Sequence, residues 1–163
     1  MEIKIYPDPI LLENCKDVVN IDEDLVSTVK EMINIMRSVD GIGLAAPQVG
    51  ILLRFFVCID FANENREDSL VLINPKITEM EGRTESKEGC LSIPGFYEYV
   101  YRYEKIQINA LDLDGNEVVY HPDGLQSIVF QHENDHLDGI LFPERMSQIK
   151  KDIFMKKINK ELK

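Results

Sequence analysis

The chain has 163 residues, 44% of them hydrophobic, which suits one soluble globular domain with a substantial core. Its net charge of −11 argues against general nucleic-acid binding, which calls for a basic surface. No apolar run approaches the ~20 residues needed to cross a bilayer. Three cysteines, Cys15, Cys58 and Cys90, make no disulfide framework and suit a reducing compartment. Residues 1–7 show neither an apolar signal core nor transit-peptide character, so a cytoplasmic location is expected, with no DNA or membrane partner.

In chain order, the first predicted element is a helix over residues 22–39. Leu25, Val29, Met32, Ile33 and Met36 recur at helical spacing, Asp22 can cap the start, and Asp40-Gly41 ends it. Apolar, β-branched runs at about 54–60, 70–80 and 103–113 read as strands, with a turn signal at Asp114-Gly115-Asn116. A second helix is expected from Asp123 or Gly124 to Gly139, a natural left-handed stop. A third is expected over 144–161. Nothing divides the chain, so residues 1–163 read as one domain whose segment 144–163 is a basic C-terminal helix. The order predicts an α+β fold: antiparallel or mixed β-sheets around the second helix, with a helix at either end of the chain. Residues 150–163 hold six lysines against Asp152 and Glu161, a local balance of +4. Such a tail can dock on an acidic partner or can simply be a solvated helix end.

The segment Gln131-His132-Glu133-Asn134-Asp135-His136 contains HExxH. Positions i and i+4 share a helix face, so His132 and His136 can hold one metal ion together. The motif also arises by chance on solvated helices. Here, however, its histidines share a face with Leu125, Ile128 and Val129, and an unpaired imidazole on an apolar face is costly. Glu133 follows a ligand directly and can serve as general base and then general acid. No histidine lies downstream for a third ligand; Glu144 and Glu161 are available but sit in polar surroundings. Cys90, in Glu88-Gly89-Cys90-Leu91-Ser92, is the better candidate. A thiolate binds divalent metals strongly, although a lone cysteine is more often a small buried hydrophobe. One thiolate and two imidazoles would accept iron(II), zinc, nickel or cobalt.

Three segments together resemble the peptide deformylase family of metal-dependent amidohydrolases: Gly41-Ile42-Gly43-Leu44-Ala45-Ala46-Pro47-Gln48-Val49-Gly50, Glu88-Gly89-Cys90-Leu91-Ser92, and Gln131-His132-Glu133-Asn134-Asp135-His136-Leu137-Asp138-Gly139. The similarity extends to Pro7-Asp8-Pro9, the Arg102 region and Leu141-Phe142, and its short form looks like the common bacterial type. The resemblance implies hydrolysis of the N-formyl group from the formyl-methionine of newly made polypeptides, with release of formate. It implies Cys90, His132 and His136 as metal ligands, iron(II) as the favoured ion, and Glu133 as the acid/base. Gln48 and the backbone N–H of Leu91 would hold the oxyanion. Backbone groups of Ile42, Gly43 and Gly89 would pair with an extended substrate peptide. It also supports a C-terminal helix that meets the ribosome.

The methionine side chain then needs an apolar pocket. Ile128 and Val129, one turn before His132, are the first candidates, with Ile42 and Leu125 beside them; core packing is the alternative for each. Asn134, Gln126 and Ser127 depart from the family pattern without touching a catalytic role. His121, Cys15 and Cys58 read as structural. Arg102 is expected to hold a carboxylate such as Glu88, and Asp135 is expected to orient a ligand, to pair with Arg102 or to lie on the surface. Two other readings fit parts of the sequence. One is an HExxH metalloprotease, which would cleave internal peptide bonds and would not need Cys90. The other is a non-catalytic metal-binding, ribosome-associated module.

Overall fold

The computed structural model describes residues 1–63 and 65–161; Leu162 and Lys163 of the expected basic tail lie outside the described residues. Helix α1 (Glu23–Ser38) is capped by the Asp22 carboxylate, which accepts from the Leu25 N–H at 2.9 Å. Strands follow at β1 (Gly43–Ala45), β2 (Phe55–Ile59), β3 (Ser69–Glu81), β4 (Thr84–Cys90), β5 (Ile93–Arg102), β6 (Lys105–Leu111) and β7 (Glu117–Tyr120). Helices α2 (Gly124–Leu137) and α3 (Gln148–Glu161) complete the chain. One sheet has the order β1-β2-β3-β6-β7, and β4-β5 makes a separate hairpin; every ladder is antiparallel. The α+β architecture is therefore the expected one.

Strand β2 explains the layering. All five of its residues are buried, so both of its faces must be covered. Phe55, Val57 and Ile59 pack with Leu25, Val29, Met32 and Met36 of α1. On the other face Phe56 and Cys58 pack with Val129, Phe130 and Leu137 of α2. Helix α2 is thus held at the centre, against the sheet. Its end is fixed by Gly139 (φ +68), where a Cβ would stand 2.5 Å from the Leu12 carbonyl oxygen.

The hairpin joins the rest through a third cluster, in which Ile93, Phe96 and Val100 of β5 pack against Leu11, Leu141, Phe142, Phe154 and Ile158. Helix α3 begins later than expected. Phe142–Arg145 forms a separate 3-10 turn with Pro143 in its first positions, and Met146 is extended (ψ 163), which breaks the helix before Gln148. Arg145 is bonded to Asp135, so the turn is pinned to α2 instead of continuing into α3.

Candidate metal centre and its cavity

Two elements bring the candidate ligands together. One turn of α2 sets the His132 and His136 rings edge to face, with centroids 5.0 Å apart. Cys90, the last residue of β4, places its Sγ 3.3 Å from His136 Nε2. One ligand atom from each of Cys90, His132 and His136 lies within 4.8 Å of the others, a cluster that can close around a single ion. Glu144 and Glu161, the other conceivable ligands, are exposed and elsewhere.

The donors are prepared for such an ion. His132 Nδ1 faces Glu88 Oε2 at 2.9 Å, which orients the ring and leaves Nε2 for the cluster. Glu88 is buried, and burial alone would raise its pKa. Hydrogen bonds from Arg102 and His132 outweigh this and hold it at about 2. Arg102 donates to Glu88 through Nε (2.7 Å) and one terminal nitrogen (2.9 Å), and to Asp135 through the other (2.6 Å). Arg145 donates to Asp135 in turn. Asp135 is therefore a buried partner of Arg102, not a surface residue. Burial lowers the pKa of His136, which favours the neutral, ligating form of its imidazole.

Glu133 stands beside the cluster, 4% exposed. Burial, with Glu88 and Asp135 nearby, raises its carboxyl to about 7, where a group can both take and return a proton near neutrality. Among the described residues its Oε2 has no hydrogen-bond partner, an expensive state unless something else completes the site. Its Oε1 occupies the space a side chain at 43 would take, since a Cβ on Gly43 would overlap it. Gly43 thus makes room for the acid/base, a role beyond the backbone contact expected from the sequence.

Gln48 is 1% exposed in the turn Ala46–Val49. Its Oε1 accepts the Ala45 N–H at 2.8 Å, which commits its Nε2 to the Cys90 Sγ at 3.5 Å and the Ser92 Oγ at 3.2 Å. The donor is therefore aimed at the cluster. Beside it opens a cavity of about 490 Å³, and Leu91, Ile42, Gly43, Gly89, Leu125, Ile128 and Val129 all line it together with Cys90, His132 and Glu133. Val129 is buried at depth, whereas Ile42 (44% exposed) and Leu125 (45% exposed) form the rim. Leu125 is thus not on the buried face as expected, because it lies on the first turn of α2, clear of the sheet.

The structure gives roles to two residues that the matching segments contain but to which the sequence assigned none. Phe142 stacks on His132 with centroids 6.3 Å apart, and Ser92 receives Gln48. The departures at 126 and 127 tie α2 to its surroundings: Gln126 accepts the Phe61 N–H at 2.8 Å, and Ser127 donates to the Tyr103 carbonyl at 3.1 Å. His121 is exposed just after β7. Cys15 and Cys58 are buried away from the cluster, and burial pushes both thiols up.

Comparison with known proteins agrees with this geometry. The family model for polypeptide deformylase matches residues 1–152. A peptide deformylase of Thermodesulfovibrio yellowstonii is 43% identical over 157 residues, covering 96% of this chain and 95% of that one. One of Alkalilimnicola ehrlichii is 44% identical, covering 98% of this chain and 89% of that one. Among solved structures, the peptide deformylase of Thermus thermophilus superposes with a TM-score of 0.91 at 39% identity, and that of Legionella pneumophila with 0.89 at 37%. Each covers 98% of this chain and 93% of the other. Fold, motif order and full-length similarity coincide: the chain belongs to the polypeptide deformylase family, whose members are metal-dependent hydrolases of N-formyl groups.

Proposed function

We propose that this chain hydrolyses the formyl group from the N-terminal formyl-methionine of newly made polypeptides, in the cytoplasm, at the cavity between β4 and α2. Cys90, His132 and His136 would hold one divalent ion, iron(II) by preference, with zinc, nickel or cobalt as alternatives the same donors accept. The observation that carries this reading is the convergence of those three donors within 4.8 Å beside a buried Glu133 oxygen that has no partner among the described residues. Bound there, the ion supplies a Lewis acid that polarises the formyl carbonyl and acidifies a neighbouring water.

The chain's own residues do the rest. Glu133 takes the proton of the attacking water and returns it to the departing amine as the formyl C–N bond breaks, leaving formate and a free N-terminus. Gln48 Nε2 and the Leu91 N–H donate to the developing oxyanion. Ile128 and Val129, with Ile42 and Leu125 at the rim, enclose the methionine side chain. Backbone groups of Ile42, Gly43 and Gly89 hold the peptide extended. A formylated N-terminus is uncharged, so no carboxylate is needed to bind an ammonium group.

Formate release from formyl-Met-Ala-Ser by anaerobically iron-loaded protein tests the reading. A longer, N-acetylated peptide serves as the control for internal proteolysis. Cys90→Ala is expected to lose the ion and the activity together; a variant that binds and turns over like the parent would sink the assignment.

Ribosome contact through α3 is part of the same proposal, supported by the exposed Lys156, Lys157 and Lys160. Deleting residues 150–163 is a poor test, because Phe154 and Ile158 are buried in the cluster behind β5. Replacing Lys156 and Lys160 by glutamate spares the core, whereas Lys157 lies over the Phe96 ring at 5.6 Å and is left in place. The double replacement is expected to weaken ribosome co-sedimentation while leaving cleavage of the short peptide unchanged.

A further inference from the structure

Strand β4 is hydrogen-bonded on one side only, to β5; its other edge has no strand partner among the described residues. Ser86, Lys87, Glu88 and Gly89 of that strand line the cavity. An extended peptide whose formyl end sits at Cys90 can add to this edge as a third strand. Its side chains then alternate between the two faces of the hairpin. With the methionine turned inward to Ile128 and Val129, the second residue is turned outward.

The outward face at that level has an unusual construction. Gly89 is paired with Tyr97 of β5, and the Tyr97 ring lies across it: a Cβ on Gly89 would stand 2.5 and 2.6 Å from ring carbons Cε1 and Cδ1. Strands two places apart are separated by about 10 Å, normally with an intervening side chain between them. Here the intervening residue has none, and the ring crosses the gap toward the free edge. Tyr97 is 64% exposed and lines the cavity rim, so its outer face is available.

We infer that Tyr97 is a substrate-contacting residue that selects the side chain following the methionine, favouring an aromatic or other large apolar residue over alanine. The inference rests on the deformylase reading. A ring pair of this kind is worth a preference of about threefold to tenfold. Tyr101 lies on the same face four residues along, does not line this cavity, and carries the Arg83 guanidinium on its ring at 3.8 Å, so it provides the control.

The experiment compares kcat/KM for formyl-Met-Phe-Ser and formyl-Met-Ala-Ser within each metal-loaded variant, so that any general loss of activity cancels in the ratio. A ratio of about 3 to 10 is expected for the parent, Tyr97→Phe and Tyr101→Ala, falling to about 1 in Tyr97→Ala at unchanged metal content. A parent ratio of 1, or a Tyr97→Ala ratio equal to the parent's, would overturn the inference while leaving the deformylase reading intact. No formate from either peptide would overturn both.

Discussion

Arg102 holds Glu88 through two hydrogen bonds, and Glu88 in turn orients His132. The guanidinium, 5% exposed, also carries Asp135, so one side chain neutralises two buried carboxylates behind the metal ligands. Removing it leaves Glu88 without its main cation and Asp135 with Arg145 alone.

Arg102→Ala is therefore expected to cost about 3–5 kcal/mol of stability, measured by urea unfolding of the metal-loaded protein. Arg102→Lys should recover only part of this, because an ammonium cannot reproduce the forked contact with Glu88 while also reaching Asp135. An alanine variant as stable as the parent would contradict the arrangement.

Gly43→Ala places a methyl group where the Glu133 Oε1 now sits. Because the obstacle is the end of a side chain, the fold should survive and the carboxylate should move. We expect kcat to fall by tenfold or more with metal content unchanged. The loss should approach that of Glu133→Gln, for which removal of a positioned acid/base typically costs about 10²–10⁴. Metal analysis beside steady-state kinetics separates this from loss of the ion.

Gln48→Ala should lower kcat by about a hundredfold or more, with a smaller effect on KM, if its Nε2 serves the oxyanion. The same change also removes the acceptor of the Ala45 N–H, at about 1–3 kcal/mol of stability. A drop in melting temperature with unchanged kcat would assign Gln48 to structure alone.

Cys15 supplies a pH dependence remote from the reacting groups. Burial, opposed by Arg54 and assisted by Asp138, raises its thiol from 9.0 to about 11. The folded state prefers the neutral thiol, so its contribution is complete below pH 9 and is lost as pH rises toward 11. Relative to Cys15→Ala, the parent should lose stability across that window and not below it. Iodoacetamide should label this cysteine slowly until the chain unfolds.

Much of this was legible in the residues, because α1, β2, β3, β6 and α2 each carry an apolar period or a cap that local chemistry reads directly. The hairpin β4–β5 was not. Its alternation is obscured where Glu88 and Arg102 are buried as a pair and where Tyr97, Tyr99 and Tyr101 are exposed. Hydropathy assigns those residues to the wrong sides. The metal cluster could be assembled from spacing and donor type, but the space Gly43 leaves for Glu133 and the ring laid over Gly89 could not. Both depend on which distant backbone passes close by, and single positions hold no record of that.

The polypeptide deformylase match ends at residue 152, yet Phe154 and Ile158 beyond it are buried against the strand that backs the cysteine. Among the described residues, no backbone ladder joins that hairpin to the larger sheet. A stretch without chemistry of its own therefore acts as a buttress for the thiol. Erosion of its two apolar anchors should register as heat sensitivity and leakage of the ion before turnover suffers at low temperature.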